Sequence, residues 1–462
     1  MKTYNSFDSR DPIWTRVVCD SEDGLQDVTH ERSSSSIRNS GVLNLSNKID
    51  LKGLNTFTAA VFICGEMAGS GVLALPRAIV NSGGWIGLIL LVVFCINAGY
   101  GGICLGYCWE ILEERYPEHR SRTRNPYATI AYRAVGRWGS LLVSGCIQFT
   151  LFGAGTVYLL LSSQIFQELL DNIFPRLSFC FWFFLIAGIL TPAMWFGSPK
   201  DFWAVGICAT LTTALACILM FTQIVIDGSV SREHVRHRVH NFQDFFLAFG
   251  TLLFAFGGAS TFPTIQNDMD NKRNFPKSIA IAFSVIMVLY LPVSAGGYLV
   301  YGEEVETNVA MSLSRTYIVM FANILMAVHL ILAFLIVINP VCQELEEIFN
   351  VPHYYHWKRC VLRTLMVFVM VFIGETIPRF GKILSLVGGS TITLLTFVLP
   401  PYFYMRLCQQ KNPTWPERNI SSYIKVYLWE LILIGLVGGS ASTYSAIRSI
   451  FGSGMTKPCY WS

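Results

Sequence analysis

Long stretches without a single Asp, Glu, Lys or Arg divide this chain. Residues 78–109, 138–167, 177–199, 202–226, 245–267, 278–302, 316–343 and 383–405 each lack all four. A helix needs roughly 20 apolar residues to cross the hydrocarbon core of a bilayer, so each stretch predicts a transmembrane helix. Three weaker candidates complete the series. Residues 55–77 are interrupted by Glu66, 361–375 begin near Arg363, and 426–447 include Glu430 near one end. Arg363 and Glu430 are placed to reach the interface with their long side chains. Glu66, about eleven residues into its segment, is not. The pattern predicts an all-α polytopic membrane protein of about eleven transmembrane helices over residues 53–450.

Composition agrees: 53% of the 462 residues are hydrophobic and 14% charged, against roughly a quarter charged in soluble domains. The formal net charge of +4 says little about partners. The placement of basic residues says more, because cytoplasmic segments carry the excess of Lys and Arg. With the N-terminus inside, seven lie in the tail and seventeen in the inner loops, out of 34. The segment 227–240, with Arg232, Arg236 and Arg238, runs against this scheme. Residues 1–52, with Ser33 to Ser36 and no signal-peptide core, read as a disordered cytosolic tail. Residues 451–462 are then a short tail on the outer or lumenal side of a plasma or endolysosomal membrane. The sequons at Asn44 and Asn419 fall on the cytosolic side, where they are chance matches. Thirteen cysteines form no CxxC pair and none has metal-ligand spacing with His, so they read as buried small hydrophobes.

Two segments carry the chemistry. One is Gly65-Glu66-Met67-Ala68-Gly69-Ser70-Gly71 followed by Pro76; the other is Phe256-Gly257-Gly258 followed by Pro263. Glycine tolerates unusual dihedrals and proline removes a helical hydrogen bond, so both spans are expected to break near the middle. They are spans 1 and 6, corresponding positions of two five-helix halves, which is the sequence pointer to a transporter site at a repeat interface. Close helix packing through small residues is the competing explanation. A broken helix offers free N–H groups to a carboxylate and free carbonyls to an ammonium group or cation. A zwitterionic amino acid carries both charges, so the expected substrate site is Gly69, Ser70, Gly71, Phe256, Gly257 and Gly258.

These residues resemble the amino acid/auxin permease family. The resemblance runs from about residue 53 to 450. It is carried by Gly69 to Pro76 with Gly83-Gly84-Trp85, and by Phe256-Gly257-Gly258 with Phe262-Pro263 ahead of Asn274-Phe275-Pro276. Asn339-Pro340, and Ile377-Pro378 before Val387-Gly388-Gly389, add to it. It implies a LeuT-type 5+5 inverted repeat with one further helix, and amino-acid transport coupled to protons or sodium.

Glu66 is the expected ion-coupling residue. Carboxylates inside a bilayer are costly and functional, whereas sodium-coupled relatives use uncharged groups in this region. The alternative is a structural Glu hydrogen-bonded to its surroundings. His329, mid-way along span 8, is expected to be a neutral, hydrogen-bonded histidine rather than a proton-coupling one, and Gln148 and Tyr158 of span 3 are candidates equally for pocket lining and for packing or interfacial roles. No HExxH, GxSxG or His/Asp cluster points to an enzyme, no cofactor or metal is implied, and neither is nucleic acid. Rings of pore-lining charge are absent, which argues against a channel. A transporter-like amino-acid sensor would look the same in sequence.

Overall fold

A computed structural model describes residues 53–120, 123, 125–195, 202–230, 241–352, 355–452 and 458–461. The tail 1–52 and the arginines at 232, 236 and 238 lie outside the described residues. Among these residues there is no strand, only an isolated bridge between Leu54 and Met269.

Span 1 is two helices, α1 (Thr56–Met67) and α2 (Ser70–Asn81), bent by 61° at their junction. Asn55 caps α1 by accepting from the Phe57 and Thr58 amides, 2.9 Å each, a cap worth about 1 kcal/mol. The break falls at Ala68 and Gly69, and Pro76 lies inside α2 rather than at the kink. The loss of its hydrogen bond is absorbed in a continuing helix, so the expected link between proline and break fails here. Gly83 and Gly84 then take positive φ, turning the chain into α3 (Trp85–Arg115). Span 2 therefore starts later than the apolar run suggests.

A short amphipathic helix, α4 (Pro126–Val135), precedes α5 (Arg137–Leu170), α6 (Phe179–Trp195) and α7 (Phe202–Val230). Span 6 is α8 (Phe242–Ala255) and α9 (Phe262–Asn267), separated by six non-helical residues. It is followed by α10 (Phe275–Tyr301), α11 (Tyr317–Ile348) and α12 (Trp357–Thr376). Span 10 is composite: α13 (Phe380–Val387), π-helical turns Gly388–Ile392 and Leu394–Val398, then α14 (Leu399–Gln409). The last helix is α15 (Ser422–Phe451).

Among the described residues, seven helical stretches are long and apolar enough to cross a membrane, or eight if α1 and α2 form one span. Helices α6 and α8 are apolar but shorter, and α12 carries Lys358, Arg359 and Arg363. The fold is an all-helical membrane bundle.

Two expectations are corrected. Arg363 does not reach the interface: it is 1% exposed. Its Nε donates to Glu346 at 2.6 Å, and its Nη1 to the Met194 carbonyl and Asn339. Arg359 donates to the same fully buried carboxylate. Glu66 is thus not alone, because an ion cluster ties α6, α11 and α12. The cysteines are not all inert either. Cys180, at the start of α6, forms a disulfide with Cys459, with Cα atoms 5.7 Å apart. The chain after α15 is thereby drawn back onto α12, where Tyr460 stacks on Phe372.

Candidate functional site

The two breaks meet. A Cβ at Gly71 would lie 2.9 Å from the Ala255 Cα, and one at Gly258 would lie 2.7 Å from Met67 Cγ. These glycines allow α2 and the α8–α9 junction to approach more closely than any side chain would permit. The hydroxyl of Tyr290, on α10 and wholly buried, lies 2.7 Å from the Met67 carbonyl and 3.3 Å from that of Ala255. One phenol therefore ties together the carbonyl ends of both broken helices.

Beside this junction is a cavity with about 30 Å³ for the centres of water molecules, room for about two waters. Glu66, Met67, Ser70 and Gly71 line it from span 1, and Phe254, Gly257 and Ser260 from span 6. Thr150, Leu151, Ala154 and Tyr158 contribute from α5, Val337 from α11 and Ile392 from the first π turn. The amides of Ser70 and Gly71 open α2, and the first N–H groups of a helix have no intrahelical acceptor. The Ser70 hydroxyl is buried beside the Tyr158 phenol. Nothing among the described residues hydrogen-bonds to the Glu66 carboxyl. Such a wall can take a carboxylate at the helix start, an ammonium group at the carbonyl ends and Glu66, and a small apolar group between them.

Of the residues expected from sequence, Glu66, Ser70, Gly71 and Gly257 stand on this wall, and so does Tyr158. Gly69, Phe256 and Gly258 do not. Gly69 instead faces His329: a Cβ there would lie 2.8 Å from Nε2. The imidazole Nδ1 is 3.0 Å from the Ala209 carbonyl and 2.8 Å from Thr213 Oγ1. A carbonyl only accepts, so Nδ1 carries the proton there. His329 thus bridges α11, α7 and the span 1 break as a hydrogen-bonded core residue. Phe256 is wholly buried and stacks on Phe283. The non-helical turn aims it away from the cavity, and Phe254 takes the wall position. Gln148 is also off the wall.

A vestibule of about 780 Å³ lies beyond, lined among others by Arg77, Gln164, Thr251, Asn308, Arg379 and Lys382. Its floor is crossed by a hydrogen bond of 2.9 Å between Thr251 and Ser385. The opposite face is tied shut. Leu54 exchanges backbone hydrogen bonds with Asp268 and Asp270, at 2.8 and 3.1 Å. Lys272 pairs with Glu113, and Ser278 donates to the Thr56 carbonyl.

Two interrupted helices around a central cavity, with a vestibule on one face and a seal on the other, define a broken-helix transporter. Residues 52–447 match the family of transmembrane amino acid transporter proteins, and the chain belongs to that family. Amino acid transporter AVT1C of Arabidopsis thaliana is 25% identical over 401 residues, covering 83% of this chain and 68% of the relative. AVT1J of the same plant is 25% identical, covering 84% and 89%. Among solved structures, MhsT in complex with L-phenylalanine aligns with a TM-score of 0.55 at 12% identity, over 86% of this chain and 99% of that one. Mhp1, a nucleobase-cation-symport-1 family transporter, aligns at 0.51 and 14%, over 88% and 95%. Both show a shared LeuT-type fold.

Proposed function

We propose that the protein is a proton-coupled carrier of small amino acids that works by alternating access around the breaks in spans 1 and 6. One observation carries this reading. The Glu66 carboxyl, free of hydrogen-bond partners among the described residues, lines the same cavity as the opening amides of α2. A structural carboxyl inside a bilayer would be paired; an unpaired one on a substrate wall is available to a proton. The small cavity supports a small substrate.

The orientation proposed is N-terminus in the cytosol and Cys459 outside or in a lumen. The Cys180–Cys459 bond supports it, since disulfides persist in oxidising compartments. The sealed face is then cytosolic and the vestibule opens outward. Transport proceeds by parting the Thr251–Ser385 floor, loading Glu66 and the substrate, closing the floor, and then releasing the Leu54–Asp268 seal. The test is counterflow in proteoliposomes against the twenty amino acids, with sodium replaced by choline and an imposed pH gradient. Uptake of small amino acids that needs the gradient is the expected result. Uptake that needs sodium and ignores pH would refute the coupling, and binding without flux would make the protein a sensor.

A further inference from the structure

We propose that Ile392 sets the upper size limit for the substrate side chain, and that it owes this role to the π-helical turn that carries it. The inference rests on the reading of the cavity as the amino-acid site. The polar wall groups are committed to the charged ends of a zwitterion. What remains for a side chain is the apolar wall: Met67, Leu151, Ala154, Phe254, Val337 and Ile392. Five of these, Met67, Leu151, Ala154, Phe254 and Val337, stand on the regular helices α1, α5, α8 and α11. Ile392 alone closes a π turn, Gly388–Ile392. A π turn adds a residue to the helical repeat and re-aims the side chains beyond it, and such turns recur at functional sites.

The side chain packs against the break. Ile392 Cδ1 would lie 2.7 Å from a Cβ on Gly257, so it presses directly on the break in span 6. Its backbone is held from several sides. Gly388 abuts the Gly250 carbonyl and Gly389 abuts Ser442, where any Cβ would collide. Thr391 accepts a hydrogen bond of 2.7 Å from Thr150, and Thr393 donates to the Gly388 carbonyl at 2.7 Å. Ile392 is thus a fixed stop touching both the cavity and the hinge of span 6.

Counterflow kinetics of glycine, alanine and leucine in proteoliposomes of Ile392→Ala, Ile392→Val and Ile392→Phe test the proposal. In the wild type, alanine exceeds leucine. Ile392→Ala raises the leucine-to-alanine ratio of kcat/KM by roughly tenfold or more, the scale of a methylene or more gained in an apolar pocket. Ile392→Val moves it the same way by less, and carries the test if the alanine variant folds poorly. Ile392→Phe lowers alanine exchange relative to glycine. A merely structural residue would slow every substrate alike, so unchanged ratios alongside active wild-type exchange would overturn the assignment while leaving transport standing. A wild type that exchanges none of these amino acids would overturn both.

Discussion

Glu66→Gln keeps the shape of the side chain at the cavity wall and removes its capacity to exchange a proton. Exchange of substrate across the bilayer should persist in this variant, while accumulation driven by a pH gradient should disappear. Both are measured in the same vesicles, and a Gln variant that still concentrates substrate makes Glu66 structural. Tyr290→Phe removes the hydroxyl shared by the Met67 and Ala255 carbonyls. Leaving a buried acceptor unpaired costs about 1–3 kcal/mol, so thermal unfolding should shift downward and counterflow should fall. Gly71→Val and Gly258→Val should abolish uptake, now for a reason the structure makes specific: the added carbons collide with Ala255 and Met67. Expression and folding should suffer too, read by size-exclusion profile, because the close packing of spans 1 and 6 is itself lost. At this scale Glu66 was legible because a carboxyl inside an apolar run stands out. Leu151, Phe254 and Ile392 were not, since an apolar side chain within an apolar helix carries no mark of which way it faces. Tyr290 was hidden for the same reason.

The ion cluster of Arg359, Arg363 and Glu346 joins α11 to α12, and Arg363 extends it to α6 through the Met194 carbonyl. Removing one partner from a buried pair leaves an uncompensated charge and costs about 3–5 kcal/mol. Glu346→Leu should therefore lower the unfolding temperature in detergent markedly, because it leaves the buried Arg363 guanidinium without its carboxylate, while a double variant with Arg363→Met recovers part of the loss. Equal stability of the single variant and the wild type would show the cluster to be solvated. The helical stretches were largely readable because charge-free runs of this length fit a bilayer and little else. Their interiors were less readable. Pro76 sits in an unbroken helix, and the π turns of span 10 depend on Gly388 and Gly389 meeting Gly250 and Ser442, partners over fifty residues away in either direction. The disulfide was missed because neither Cys180 nor Cys459 has a local spacing signature; only the return of the chain after α15 brings them together.

Across the whole molecule, one face holds an open vestibule and the other a set of closed contacts, so reagents should distinguish them. A cysteine placed at Thr251 should react with a membrane-impermeant thiol reagent added outside, and one at Leu54 should stay protected from it even while the carrier turns over. Reaction of both from the same side would refute the orientation. The Cys180–Cys459 bond has a consequence for biosynthesis. It spans 279 positions of the chain and cannot close until α15 has been threaded through the bilayer in the correct direction. Oxidised protein is thus a census of molecules whose insertion is complete. A chain nicked in any loop between α6 and α15 should migrate as one species on a non-reducing gel and as two after reduction. Chains stalled or inverted during insertion should separate at once.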